Sequence, residues 1–214
     1  MAEDPERPGA EHWLPRSTEI DELRSAASEC RGCELWKDAT QVVFSEGSSS
    51  ARIMLVGEQP GDREDLAGEP FVGPAGRVLA DALEAARIDR TETYITNAVK
   101  HFRFEPRGKR RIHQKPGVAH IVACHPWLDA EIREVKPEII VGMGATAARS
   151  LFGRSVTIGD ARGHVIEEPE RLLAPVVVTV HPSSILRVRD SSAREAAFDA
   201  FVADLRVAAR GPRA

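Results

Sequence analysis

Residues 108–117 read GKRRIHQKPG, with three consecutive cations, Lys109, Arg110 and Arg111, just ahead of an imidazole, His113. Lysine and arginine contact phosphate oxygens, and a neutral imidazole is a nucleophile able to form covalent adducts. Residues 100–115 hold seven Lys and Arg against one acid, Glu105, so a local charge of +6 sits in a chain whose formal charge is −4. A basic patch on an acidic body is a focused anion site rather than a general attraction to polyanions. A solvated surface loop would leave the same trace in the composition.

Four other short motifs carry polar groups suited to a site: GEQPGDRED (57–65), TNAVKH (96–101), GMGAT (142–146) and HPSSILR (181–187). Gly57 and Gly61 permit a tight turn with close backbone approach. Glu58, Gln59 and Asp62 add acceptors and an amide. Asn97 offers a donor and an acceptor on one planar group, the requirement for reading a nucleobase edge. It is equally a residue type of turns. His181 precedes a Pro-Ser-Ser turn that can open a helix, whose amides and hydroxyls can hold a phosphate. No phosphate-binding loop or dinucleotide fingerprint is present.

Three cysteines make no closed disulfide set. Cys30-x-x-Cys33, with Cys124 far along the chain, points to metal or redox work in a reducing compartment, so a cytoplasmic location is expected. No apolar run approaches the roughly 20 residues that span a bilayer, and the N-terminus lacks the layout of a secretory signal.

The elements that position these motifs are legible from periodicity. Apolar runs at 52–57, 93–99, 138–144 and 175–180 read as strands, with a further edge strand over 163–168. Helical spacing covers 17–30 (Ser17 or Thr18 as N-cap), 74–88, 125–136 with Pro126 in the first turn, 145–153 and 192–210. Alternation of strand and helix predicts an open, mostly parallel sheet with helices on both faces. Such sheets bind ligands at the carboxyl ends of their strands, which is where the four motifs fall. With 214 residues, 42% apolar and 29% charged, one domain over 17–210 is expected behind a flexible segment, 1–16.

GEQPGDREDLAGEPFVGPAGR, YITNAVKH, KRRIH and HPSSILR, in that order, resemble the motifs of uracil-DNA glycosylases of the iron–sulfur type, and the GKRRIH insert resembles the UdgX branch. The likeness runs from about Cys30 to Arg187. It implies a three-layer α/β/α sandwich around a four-stranded parallel sheet, acting as a monomer on uracil-containing DNA, with single strands preferred, duplex admitted, and free uracil as product. Phe71 would stack on a flipped uracil above Gly57, Asn97 would bond its edge, and His181 would donate to O2. Ser183, Ser184 and Arg187 would grip the backbone, with Lys109, Arg110 and Arg111 on phosphates. Water completes the reaction in turnover members. In UdgX-like ones the loop histidine, here His113, bonds to C1′ and stays. From its charge, Glu58 is expected to orient the ring and take up the N–H proton as the adduct forms, with Gln59 and Asp62 as further candidate catalytic groups.

The resemblance also implies a 4Fe–4S cluster on four cysteines. The position after the lysine of NAVK, a cysteine in that pattern, is His101 here, so the ligand set becomes Cys30, Cys33, His101 and Cys124. His125 is an alternative fourth ligand, and by residue type alone the set also suits zinc. Three functions stay open at this point: a self-trapping glycosylase, a turnover glycosylase whose His113 contacts phosphate, and a non-catalytic iron–sulfur DNA-binding protein.

Overall fold

A computed structural model describes residues 7–17, 19–168 and 172–211. In chain order the strands are β1 (Ser45–Gly47), β2 (Ile53–Gly57), β3 (Thr93–Asn97), β4 (Phe104–Arg107), β5 (Arg110–His113), β6 (Ile139–Met143), β7 (Val165–Ile166) and β8 (Val176–Thr179). The helices are α1 (Ile20–Ala27), α2 (Asp62–Ala67), α3 (Pro74–Ala86), α4 (Val118–Val135), α5 (Ala145–Phe152), α6 (Ile158–Ala161), α7 (Pro182–Leu186) and α8 (Ser191–Ala209).

The central sheet has six strands in the order β1-β3-β2-β6-β8-β7. Its core, β3-β2-β6-β8, is parallel, as the alternation of elements requires. The expected count of four is corrected by two antiparallel edges, β1 on β3 and β7 on β8. The β7 edge falls inside the expected 163–168. The three residues of β1, Ser-Glu-Gly, have no apolar alternation and join the sheet by pairing with β3.

Every residue of β2, β3, β6 and β8 is buried, because helices cover both faces. Successive side chains of β2 alternate between the layers. Met54 and Val56 pack with α1, α4 and α5, while Ile53 and Leu55 pack with α3 and α8. This is the three-layer sandwich.

Helix α4 departs from expectation. It starts after Gly117 and runs through Pro126 to Val135, instead of beginning at residue 125 with Pro126 in its first turn. A mid-helix proline forfeits one backbone bond. Full burial of the next two residues, Trp127 and Leu128, offsets that loss. Helix α1 begins at Ile20 with no side-chain cap. Ser17 Oγ accepts from the Glu19 N–H, and Thr18 lies outside the described residues.

Of the segment expected to be flexible, residues 1–6 lie outside the described residues. Residues 10–13 form a 3-10 turn with Ala10 buried, and Arg7 bonds Glu34.

The GKRRIH insert is a β-hairpin, not a loop. β4 pairs β5 antiparallel, with Phe104 opposite His113 and Arg107 opposite Arg110. Gly108, at φ 60, takes the first place of the two-residue turn, the conformation that selects glycine there.

Candidate active site

The strand register brings the four motifs to one edge. Gly57 at the end of β2 pairs Asn97 at the end of β3, and Met143 of β6 pairs Thr179 of β8, two residues before His181. Counting the parallel strands alone, connections run to opposite sides of β2, so the crevice between the ends of β2 and β6 is the topological switch point. A cavity of about 720 Å³ opens there, and its wall includes Glu58, Phe71, Asn97, His113, His181 and Arg187. Gln59, Asp62 and Ser183 also line it.

Asn97 is 2% exposed, and its Oδ1 has no hydrogen-bond partner among the described residues. A buried acceptor left unpaired costs about 1–3 kcal/mol. This one lies on the cavity wall, where it can accept from a ligand N–H. Gly57 fits closely beneath it. A Cβ there would lie 2.3 Å from Asn97 Oδ1 and 2.7 Å from Phe71 Cζ.

Phe71 is one of three described non-glycine residues at positive φ, at 57°. This left-handed backbone is strained for a residue with a bulky side chain. Its carbonyl is seated on Gly76 of α3, where a Cβ would come within 1.5 Å of the oxygen. The Phe71 ring lies 5.9 Å from the His181 ring at 29°.

His181 caps α7, and its Nδ1 accepts from the Ser183 N–H at 3.2 Å. Ser183 Oγ is 2.9 Å from the same nitrogen, and Ser184 Oγ donates to the His181 carbonyl. Burial pushes the His181 pKa down to about 4, against the opposing pull of Glu58. The ring is therefore neutral near pH 7, with its proton on Nε2.

His113 is half exposed. Its Nε2 stands 3.0 Å from Gln59 Nε2 and 3.5 Å from Glu58 Oε1. The orientation of Gln59 is set by backbone: Oε1 accepts from the Arg103 N–H, and the amide faces the carbonyls of Arg103 and Gln114. An amide nitrogen only donates, so the His113 nitrogen facing it carries a lone pair.

The three hairpin cations divide. Lys109 and Arg110 are exposed at the tip. Arg111 turns back onto the body, with Nε 2.6 Å from Asp62 Oδ1 and Nη1 2.5 Å from Asp65 Oδ2. Asp65 is fully buried, and Arg111 also stacks over Phe104. Asp62, expected among the reactive groups, thus lines the cavity while anchoring the hairpin.

Sequence reasoning passed over Thr146, inside the GMGAT motif, which donates to Glu58 Oε2, and over Asp65. The acids of DRED gave no signal separating a buried partner from an exposed one.

Cys30, Cys33, Cys124 and His101 are buried away from the cavity wall. Cys30 Sγ accepts from Trp127 Nε1 and the Gly32 N–H, and Cys124 Sγ accepts from the Lys100 N–H. Burial raises the Cys33 pKa to about 11 and the Cys124 pKa to about 12, and lowers the His101 pKa to about 4. Among the described residues no three His, Cys, Asp or Glu side chains form a group that could hold a metal ion. His125 faces Ser150 instead, at 3.4 Å.

Residues 44–206 match the family described as the Uracil DNA glycosylase superfamily. The chain is similar to the type-4 uracil-DNA glycosylase of Thermotoga maritima, 38% identical over 180 residues that cover 81% of this chain and 88% of that protein. Those of Sulfurisphaera tokodaii (33% over 174 residues, 78% and 76%) and Archaeoglobus fulgidus (33% over 172 residues, 78% and 83%) are further relatives.

Proposed function

Because this chain belongs to the uracil-DNA glycosylase superfamily, we propose that it excises uracil from DNA and is then captured on its product through His113. The observation that carries this reading is a single cavity whose wall holds Asn97, His181, Glu58 and His113 together.

A base must leave the stack to be reached, at a cost of a few kcal/mol. Stacking on Phe71, worth about 1–3 kcal/mol, offsets much of it. The unpartnered Asn97 Oδ1 accepts from N3–H of uracil. His181 Nε2–H donates to O2, where charge collects as the C1′–N1 bond breaks. The electron pair of that bond leaves with the base, and the sugar becomes cationic, as in glycoside hydrolysis. The Glu58 carboxylate stabilises that cation. His113 Nε2 gives its lone pair to C1′, and the Nδ1 proton passes to water at the exposed side of the ring. Because the lone pair lies on the nitrogen nearest Glu58, the geometry favours charge stabilisation over proton uptake as the part of Glu58. The product is a neutral N-alkylated imidazole with no easy leaving route, so the link is permanent and each molecule acts once. This is the UdgX type of reaction.

Lys109, Arg110, Ser183 and Arg187 border the cavity or the hairpin tip and are read as phosphate contacts. Single strands are the preferred substrate because they pay no unpairing cost. The chain is read as a cytoplasmic monomer, and no described helix is long and apolar enough to cross a membrane.

Cys30, Cys33, Cys124 and His101 would hold a 4Fe–4S cluster, which takes one protein ligand per iron and so does not require them to converge on a single ion. The fit rests on donor chemistry: N–H groups aimed at two of the sulfurs favour thiolates, and the buried, neutral His101 has a ring nitrogen to offer. When bound, the cluster would supply structural cross-linking, tying the segment after α1 to α4 and to the end of β3. The raised thiol pKa values mean that its binding must release protons.

Incubation with a uracil-containing single-stranded oligonucleotide, followed by a denaturing gel, tests the reading. The expected result is a shifted covalent band for the wild type and uracil release without a shift for His113→Ser. Alkali-sensitive abasic product without a shift in the wild type would make it a turnover enzyme. No change in the oligonucleotide would make it a binding protein. A denaturation-resistant adduct in His113→Ala would give the nucleophile to another residue.

A further inference from the structure

We propose that Thr146 is a positioning residue for Glu58, holding one carboxylate oxygen so that the other faces His113 and the sugar. Thr146 lies in the first turn of α5, just beyond the end of β6, and Glu58 follows β2, so their contact bridges the crevice at the switch point. Thr146 Oγ1 donates to Glu58 Oε2 at 2.5 Å, while Glu58 Oε1 lies 3.5 Å from His113 Nε2. The two oxygens therefore have separate duties, one tethered and one presented. Thr146 is 2% exposed and off the cavity wall, so it acts through Glu58 and touches no substrate.

The placement of α5 follows from Gly144, whose φ of 90° starts the helix directly after the strand. A Cβ there would lie 3.0 Å from the Cβ of His181. The same turn thus sets Thr146 under Glu58 and fits against His181. Without the hydroxyl, the carboxylate of Glu58 is free to rotate away from C1′, and the sugar cation loses an oriented negative charge.

The inference rests on the proposed glycosylase chemistry, and its test separates the two. Thr146→Val and Thr146→Ser are compared with wild type by single-turnover kinetics on a uracil oligonucleotide, reading both uracil release and adduct formation. Thermal unfolding confirms that each variant is folded. The expected result for Thr146→Val is a rate constant at saturating oligonucleotide lower by about tenfold, with half-saturation unchanged. Thr146→Ser is expected to return the rate to within about twofold of wild type. Wild-type rates in folded Thr146→Val would overturn the inference, as would a serine variant as slow as the valine one. A wild type that releases uracil without forming adduct would overturn the trapping reaction while leaving Thr146 to be judged on release. A wild type with no release at all would overturn the functional reading and this inference with it.

Discussion

The backbone N–H of Ser183 donates to Nδ1 of His181 at 3.2 Å, and this contact decides which edge of the imidazole can act. An N–H cannot accept, so a neutral ring carries its proton on Nε2. Burial keeps the ring neutral by lowering its pKa from the ordinary value near 6.5 to about 4. The unfolded chain therefore binds more protons than the folded one between those two values.

The stability that His181 contributes is fully present above about pH 6.5 and is lost as pH falls toward 4. Thermal unfolding of wild type and His181→Gln at pH 7 and pH 5 tests this. The difference, wild type minus variant, is expected to shrink on acidification. A difference that holds constant would mean that the histidine titrates normally.

Gly57→Ala should abolish most of the activity while leaving the fold intact. The new methyl would press on Asn97 Oδ1 and the Phe71 ring, 2.3 and 2.7 Å away. Displacing both pocket walls by even 1 Å should slow uracil release by about a hundredfold. Single-turnover release and circular dichroism together check the prediction. Near-wild-type release would show that the pocket does not need this close approach.

The hairpin cations should separate into two kinds of variant. Removing Lys109 and Arg110 together, both exposed, is expected to weaken oligonucleotide binding. It should also flatten the salt dependence by about 1.4 in log–log slope, the counterion release of two single-strand phosphate contacts. The melting temperature should not change. Arg111→Ala removes the charge partner of the buried Asp65 carboxylate, leaving it the Thr40 N–H, and is expected to cost about 3 kcal/mol of stability. Arg111→Lys should recover little, because an ammonium cannot bond Asp62 and Asp65 as the guanidinium fork does. Denaturant unfolding and salt-dependent binding titrations separate the two classes.

Cys124→Ser and His101→Ala should each reduce the iron and sulfide content of the purified protein. Loss of a cluster held there would free α4 from the segment after α1, so the melting temperature should also fall. Elemental analysis with visible absorption is the check. Zinc in place of iron, or full iron retention in both variants, would reassign the ligand set.

Local sequence order was enough for the parallel core and for the edge at which the candidate residues gather. The β-branched runs of β2, β3, β6 and β8 are buried on both faces, and continuous apolar strands separated by helices have few other ways to pack. Once they are parallel, Glu58, Asn97 and His181 must meet at one edge, since Glu58 directly follows a strand, Asn97 ends one and His181 comes two residues after another. The length of α4 was hidden because local proline chemistry argued for a first turn at Pro126. Only the packing of Trp127 and Leu128 shows why the helix continues.

The sequence by itself determined which residues gather: their types, and their place at strand ends, follow from periods of two and 3.6 in one chain. The tertiary structure alone decided what each does on arrival. Arg111 and Arg110 are neighbours of the same charge, yet one is anchored to a buried aspartate and the other is exposed. Asp62, Asp65 and Glu58 are all acids of one motif, yet two anchor the hairpin and one faces His113. Such differences depend on contacts between segments about 40–90 residues apart, and the free energy of a buried charge is set by the partner it meets across that distance, which no local pattern records.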